Sequence, residues 1–160
     1  MLVDARIQKH IEKEIAKFIC ASGVISNDFW IQIDGKHTHE VIEFLLNDSQ
    51  CQFDRFVDLC GVDYFPKTPR FESVVHLYSS SQKHRIRLRV IVPEDTFSIP
   101  SITPFWKGAD WQERESFDMY GIRYQGHPNL KRILSPPETD VYPQRKDYPL
   151  KGERDKGDDL

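Results

Sequence analysis

Apolar residues recur every three or four positions at the start of the chain: Val3, Ile7, Ile11, Ile15 and Phe18, with Lys, Glu and Gln between them. This spacing predicts a helix with one apolar stripe from about residue 3 to 21, and Gly23 suits its stop. The period then changes to two. Phe29-Trp30-Ile31-Gln32-Ile33 reads as a strand, turned by Asp34-Gly35. Thr38 can cap a second helix, with Glu40 in its first turn and Val41, Ile42, Phe44, Leu45 and Leu46 on its buried side. A short helical turn is expected around Phe56, Leu59 and Cys60, ending at Gly61. Phe71 to Tyr78 and Arg85 to Val92 are rich in β-branched residues, and the polar stretch from Ser79 to His84 between them suits a hairpin. In the second of these strands Arg85, Arg87 and Arg89 alternate with Ile86, Leu88 and Val90, so three guanidinium groups share one face. That face is either solvated or a basic docking surface for an acidic partner.

Beyond Pro93 the chain reads as loop until a helix from Trp111 to Tyr120. Half of the 10 prolines lie from Pro128 onward, where regular structure is expected to give way to an extended path. The organisation expected is one α/β domain over residues 1–128 and a proline-rich docking tail over 129–160, its last residues Lys151 to Leu160 disordered. Composition changes this picture little. A net charge of -3 gives no broad basic field, so nucleic acid is not an expected partner. No apolar run approaches the roughly 20 residues that span a bilayer, so membrane contact is expected through partners only. Glu12 and Glu14 interrupt any signal-peptide core. Cys20, Cys51 and Cys60 show no ligand spacing. They read as reduced thiols packed in the core, which argues against a cluster or structural zinc made by this chain alone.

The densest chemistry lies between Asp110 and Leu134. Glu113 and Glu115, two apart on a helix, lie about 200° around its axis and cannot converge on one substrate atom. Glu115 and Asp118 are better placed, but Arg114 and Asp118, four apart, fit an ion pair. Asp110 and Glu113 have the spacing of a capping box, Gly121 that of a left-handed cap, and Phe117 with Tyr120 an inner face. So many charges among Trp106, Trp111 and Phe117 need paired partners, in this chain or in another. Gly121 and Gly126 have the spacing of a phosphate loop, yet His127-Pro128 stands where Lys-Ser/Thr is required, and no GxGxxG occurs. His37 and His39 are expected to be exposed rather than metal-bound, and His127, ahead of proline, to be exposed or at an interface. No Ser or Cys stands in a recognisable nucleophile arrangement.

Glu113-Arg114-Glu115, Asp118-Met119-Tyr120, His127, Lys131 and Ile133-Leu134, in this order and spacing, resemble the signature of the 30-kDa subunit family. That family belongs to the proton-pumping NADH–quinone oxidoreductase, respiratory complex I. Asp58 to Tyr64, Arg70 to Leu77, Arg85 to Leu88 and Ile99 to Thr103 are similar to further family segments, and Arg145-Lys146-Asp147-Tyr148-Pro149-Leu150 to its terminal motif. The match covers about residues 50 to 150; ahead of it only the general pattern agrees. Val141-Tyr142-Pro143-Gln144 departs from the family's Gly-His-Pro-Leu, and Pro136-Pro137-Glu138 also differs, which leaves the tail's path open.

The resemblance implies an α+β fold, a two-layer domain with helices packed on a mixed β-sheet plus an extended C-terminal tail. It implies a structural core subunit of the peripheral arm, supporting electron transfer from NADH to quinone coupled to proton translocation. No catalytic, cofactor-binding or metal residue is expected here, FMN and iron–sulfur clusters belonging to other subunits. Its implied partners are the other hydrophilic-arm subunits, above all the quinone-site large subunit and its cluster-bearing neighbours, on the cytoplasmic side of the inner membrane. Glu113, Arg114, Glu115, Asp118, Met119, Tyr120, His127, Lys131, Ile133, Leu134, Arg145, Lys146 and Asp147 are the expected interface residues, with Arg132 among the tail's clamping cations. The equivalent subunit of a membrane-bound hydrogenase or other quinone-reducing complex is the alternative. A free-standing enzyme using Glu115 and Asp118, and a nucleic-acid module using the arginine strand, are the rivals from other classes.

Overall fold

Ile7, Ile11 and Ile15 are buried as their spacing requires, but the first helix, α1, is only Ala5–Glu14. The computed structural model describes residues 5–149, so the predicted start at residue 3 and the segment Lys151 to Leu160 lie outside the described residues. A 3-10 turn (Ala16–Phe18) leads into β1 (Ile19–Ile25), where continuation of the helix to residue 21 was expected. The correction has a legible cause. Ser26 and Asn27 both take positive φ (50° and 71°) and make a two-residue turn that pairs Ile25 with Asp28, the first residue of β2 (Asp28–Asp34). Gly23 is therefore a strand residue opposite Trp30, not a helix stop.

After β2 come α2 (Thr38–Asn47), β3 (Arg55–Asp63), β4 (Phe71–Ser79), β5 (His84–Ile91), β6 (Ser98–Pro100), α3 (Ala109–Tyr120) and β7 (Arg123–Gln125). Thr38 opens α2, its hydroxyl donating to the Gly35 carbonyl at 2.6 Å. The predicted hairpin is β4–β5, paired antiparallel from Glu72–Ile91 to Ser79–His84. The helical turn expected around Phe56 and Cys60 is instead part of β3. A register shift between Phe56 and Asp58 breaks the alternation that would have marked it as a strand. The sheet runs β1-β2-β5-β4-β3, antiparallel except for β2 with β5, while β6 and β7 form a small parallel pair. The architecture is the α+β, helices-on-mixed-sheet arrangement expected.

Pairing register assigns every strand residue to a face. Phe29, Ile31, Ile33, Ile86, Leu88, Val90, Val75, Leu77 and Leu59 point the same way and pack with Ile7, Ile11, Val41, Ile42 and Leu45 of the helices. Removing such side chains from water is the main stabilising term, roughly 25 cal/mol per Å² of apolar surface. On the same face α3 lies against β3. A Cβ at Gly61 would meet the Tyr120 ring at 2.5 Å and Ser116 Oγ at 2.7 Å, so only glycine admits the helix this closely. The opposite face carries Trp30, Glu72, Val74, His76, Arg85, Arg87 and Arg89. The cysteines correct a simple core reading: Cys51 is buried, Cys20 and Cys60 are exposed.

Candidate functional site

The densest segment folds as α3 and the chain that returns over it. Glu113, in the second turn of α3, is fully buried (0% exposed). It does not complete a capping box, because Gly108 is the N-cap and makes no side-chain bond. Its carboxyl instead accepts the Ser101 hydroxyl at 2.7 Å and the Ile102 N–H at 2.6 Å, holding the loop after β6. Burial, against these two hydrogen bonds and with Asp110 nearby, pushes its pKa up to about 7. The His127 ring is also buried, where an exposed or interface position was expected. Its Nδ1 accepts the Asn129 N–H at 3.0 Å, which leaves Nε2 to donate to the Asp110 carbonyl at 3.2 Å. Nε2 lies 3.9 Å from Glu113.

Asp118 is equally buried (0% exposed) and does not pair with Arg114. It accepts the backbone N–H groups of Ile133, Leu134 and Ser135 at 2.9, 2.7 and 2.8 Å, and Arg132 Nη1 at 2.7 Å. Burial alone would raise its pKa, but these donors outweigh it and hold the carboxyl well below the usual range. One turn earlier, Arg114 donates to the carbonyls of Lys131 (3.2 Å) and Arg132 (3.4 Å) and lies over the Trp111 ring. The spacing of four thus serves one extended segment gripped at both polarities, carbonyls by the guanidinium and N–H groups by the carboxylate. Ile133 and Leu134 act here through their backbones.

The terminal motif is held the same way. Arg70 makes a fork to Asp63 (2.9 and 2.8 Å) and reaches Asp147 (3.0 and 2.8 Å), while Asp63 also accepts the Lys146 N–H at 2.9 Å. Burial opposes ionisation of Asp63, yet Arg70 and the N–H groups of Lys146 and Phe65 bring its pKa down to about 2. Arg145 donates to the Tyr120 carbonyl at 2.7 Å and stacks on Tyr142, whose ring covers Gly121. Gly121 takes the left-handed cap expected (φ 84°). The chain through Val141–Gln144, where the family pattern departs, passes the end of α3, with the Gln144 N–H on the Met119 carbonyl at 3.2 Å. The tail cations expected to reach outward divide accordingly: Arg132 and Arg145 are engaged in this chain, Lys131 and Lys146 are exposed.

What the site presents outward is Trp111 and Leu134, each 64% exposed, with exposed Glu115. Met119 is buried and Tyr120 half-buried. Asp63, Arg70 and Ser101 were not among the expected site residues, although each lies in a segment similar to the family; only the fold shows what they bind. His37 and His39 are half-buried rather than exposed, packed against Phe18 and Phe105, with His39 Nε2 2.7 Å from the Ser101 carbonyl. His10, Asp48 and Cys51 place potential metal-ligand atoms within 4.8 Å of one another. Asp48 there already accepts the N–H groups of Gln50 and Cys51, and burial beside that carboxylate pushes the Cys51 thiol up, away from the thiolate a metal needs.

The chain matches, over residues 31–154, the family described as respiratory-chain NADH dehydrogenase, 30 Kd subunit. It belongs to that family. A relative from Hyphomonas neptunium, itself a subunit of an NADH-quinone oxidoreductase, is 41% identical over 143 residues, 89% of this chain and 70% of the relative. A trypsin-resistant fragment of Nqo5 superposes with a TM-score of 0.65 at 27% identity, covering 78% of this chain and 99% of the fragment. An archaeal membrane-bound sulfane sulfur reductase contains a chain of the same fold, TM-score 0.75 at 21% identity over 91% of this chain and 85% of that one. Within the 30 Kd subunit family match fall both the α3 signature and the terminal Arg145-Lys146-Asp147.

Proposed function

We propose that this protein is a cofactor-free structural subunit of the peripheral arm of an NADH–quinone oxidoreductase. In this role it supports electron transfer to quinone, coupled to proton translocation, by holding its neighbours in register. The observation that carries the reading is the internal use of the signature charges. Glu113, Arg114 and Asp118 bind loops and tail of their own chain, and the product is a fixed surface around Trp111, Leu134, Glu115 and Lys131. Exposed tryptophan beside a positioned arginine has the composition of an interface hot spot. The signature residues therefore support docking by shaping that surface rather than by forming ion pairs across it. Its partners are the quinone-site large subunit and the cluster-bearing subunits beside it. No described helix is long and apolar enough to cross a membrane, and attachment to the cytoplasmic face of the inner membrane would pass through those partners.

The test is purification of the tagged full chain from detergent-solubilised membranes. Co-purification of the large and cluster-bearing subunits with NADH–quinone activity is the expected result, and Trp111→Ala with Leu134→Asp should reduce both at least tenfold. Turnover by the isolated chain, or full assembly of the double variant, would overturn the proposal.

A further inference from the structure

The sheet face opposite the helices forms a concavity of about 420 Å³ lined only by strand residues and Tyr64. Two of its walls carry buried N–H donors, Trp30 Nε1 and Arg87 Nε, that have no acceptor among the described residues. Buried donors are normally matched, so these two mark a face whose polar groups are not completed within the described chain. Arg89, on the same wall, shows what a completed arrangement looks like. It is bound by Glu72 at 2.8 and 2.9 Å and lies over Trp30 and Tyr64. Among the described residues Arg87 has only Asp28 as an ion-pair partner, at 3.6 Å, and Arg85 is exposed. Burial first, then Arg87, lowers the pKa of the neighbouring His76, against Asp58 and Asp28. Val62 and Val74 provide an apolar floor.

The occupant these features fit is a carboxylate with an apolar neighbour. A carboxylate accepts from the part-exposed Arg87 guanidinium in the planar geometry arginine favours. The net charge of -3 provides no broad field for nucleic acid or an anionic bilayer, so the attraction is local, suited to one acidic side chain. We propose that this face is a second docking surface, receiving an acidic segment of another subunit whose Asp or Glu meets Arg87 and whose apolar neighbour packs beside Trp30 and Val74. This rests on the reading of the chain as a subunit of a larger assembly.

Hydroxyl-radical footprinting of the free full chain and of the complex purified from membranes tests it. Trp30 and Tyr64 should be oxidised at least fivefold less in the complex. In a complex carrying Arg87→Lys, a carbodiimide should form an amide between the introduced amine and an Asp or Glu of a different subunit. Equal oxidation of Trp30 in both states, with Trp111 protected, overturns this docking surface and leaves the subunit reading standing. Loss of protection at Trp111 together with no co-purifying subunits overturns the subunit reading itself. Protection without a carbodiimide product, or with a product confined to Asp28 or to a second copy of this chain, overturns the acidic partner. Arg87→Gln removes the guanidinium that the carboxylate would meet. It should leave the free chain's melting temperature within about 2 °C and raise dissociation in a high-salt wash several-fold; unchanged retention also overturns the proposal.

Discussion

Asp118 and Arg87 are both charged, both partly or wholly out of water, and both on regular elements, yet they live under opposite rules. Asp118 has four donors from its own chain. Arg87 has one acid at 3.6 Å and a buried N–H left over. Around Asp118 the chain is closed on itself, and the polar groups contribute to folding. Around Arg87 the open sheet face is unfinished, although Arg89 beside it is completed by Glu72. Charge density alone does not mark an interface; what distinguishes these two residues is whether their own hydrogen bonds are complete.

The sharpest way to break this comparison is Asp118→Asn. It leaves Arg132 without its counter-charge and turns an amide toward three N–H donors, so about 3–5 kcal/mol of stability should be lost. Urea unfolding of the isolated chain measures it, and a loss under 1 kcal/mol would refute the internal role. Glu113 gives the next largest effect, and it depends on pH. Its folded pKa, about 7, stands above the usual value of 4.5, so its stabilising contribution is complete below about 4.5 and is lost as pH rises through about 7. On the order of 2–3 kcal/mol should disappear across that window in the wild type, and Glu113→Gln should flatten the curve. Asp63 has the opposite sign: its contribution is present above the usual carboxylate range and is lost as pH falls through about 2. Gly61→Ala should cost roughly 1–3 kcal/mol by forcing the Tyr120 ring away from β3, read as a lowered melting temperature. Arg87→Gln comes last. In the free chain it should change stability by no more than about 0.5 kcal/mol, while still impairing assembly.

The sequence made the β4–β5 hairpin, β2, α2 and α3 legible because each has a clean period and a recognisable end. Two strands were hidden for different reasons. β1 follows a helical stripe whose Phe18 continues the four-three spacing, and only Ser26-Asn27 announces the hairpin. β3 carries a bulge at Val57 that shifts its inward side from one parity to the other. At the site, order and spacing identified the family segment but not its geometry. Arg114 and Asp118 at four apart satisfy an ion-pair rule equally well, and only the returning chain at 131–135 shows that each has a better partner. His127 was misplaced because proline after it indicates loop, and loops are usually exposed.

Apart from the Arg132 guanidinium, the grip on residues 131–135 reads the main chain and not the side chains. The grip therefore leaves the other side chains of this segment unconstrained, subject to one veto: an imino acid at 133, 134 or 135 would delete a contact that nothing else can supply. In this chain the first proline of the tail, Pro136, appears one step after the last N–H that Asp118 uses.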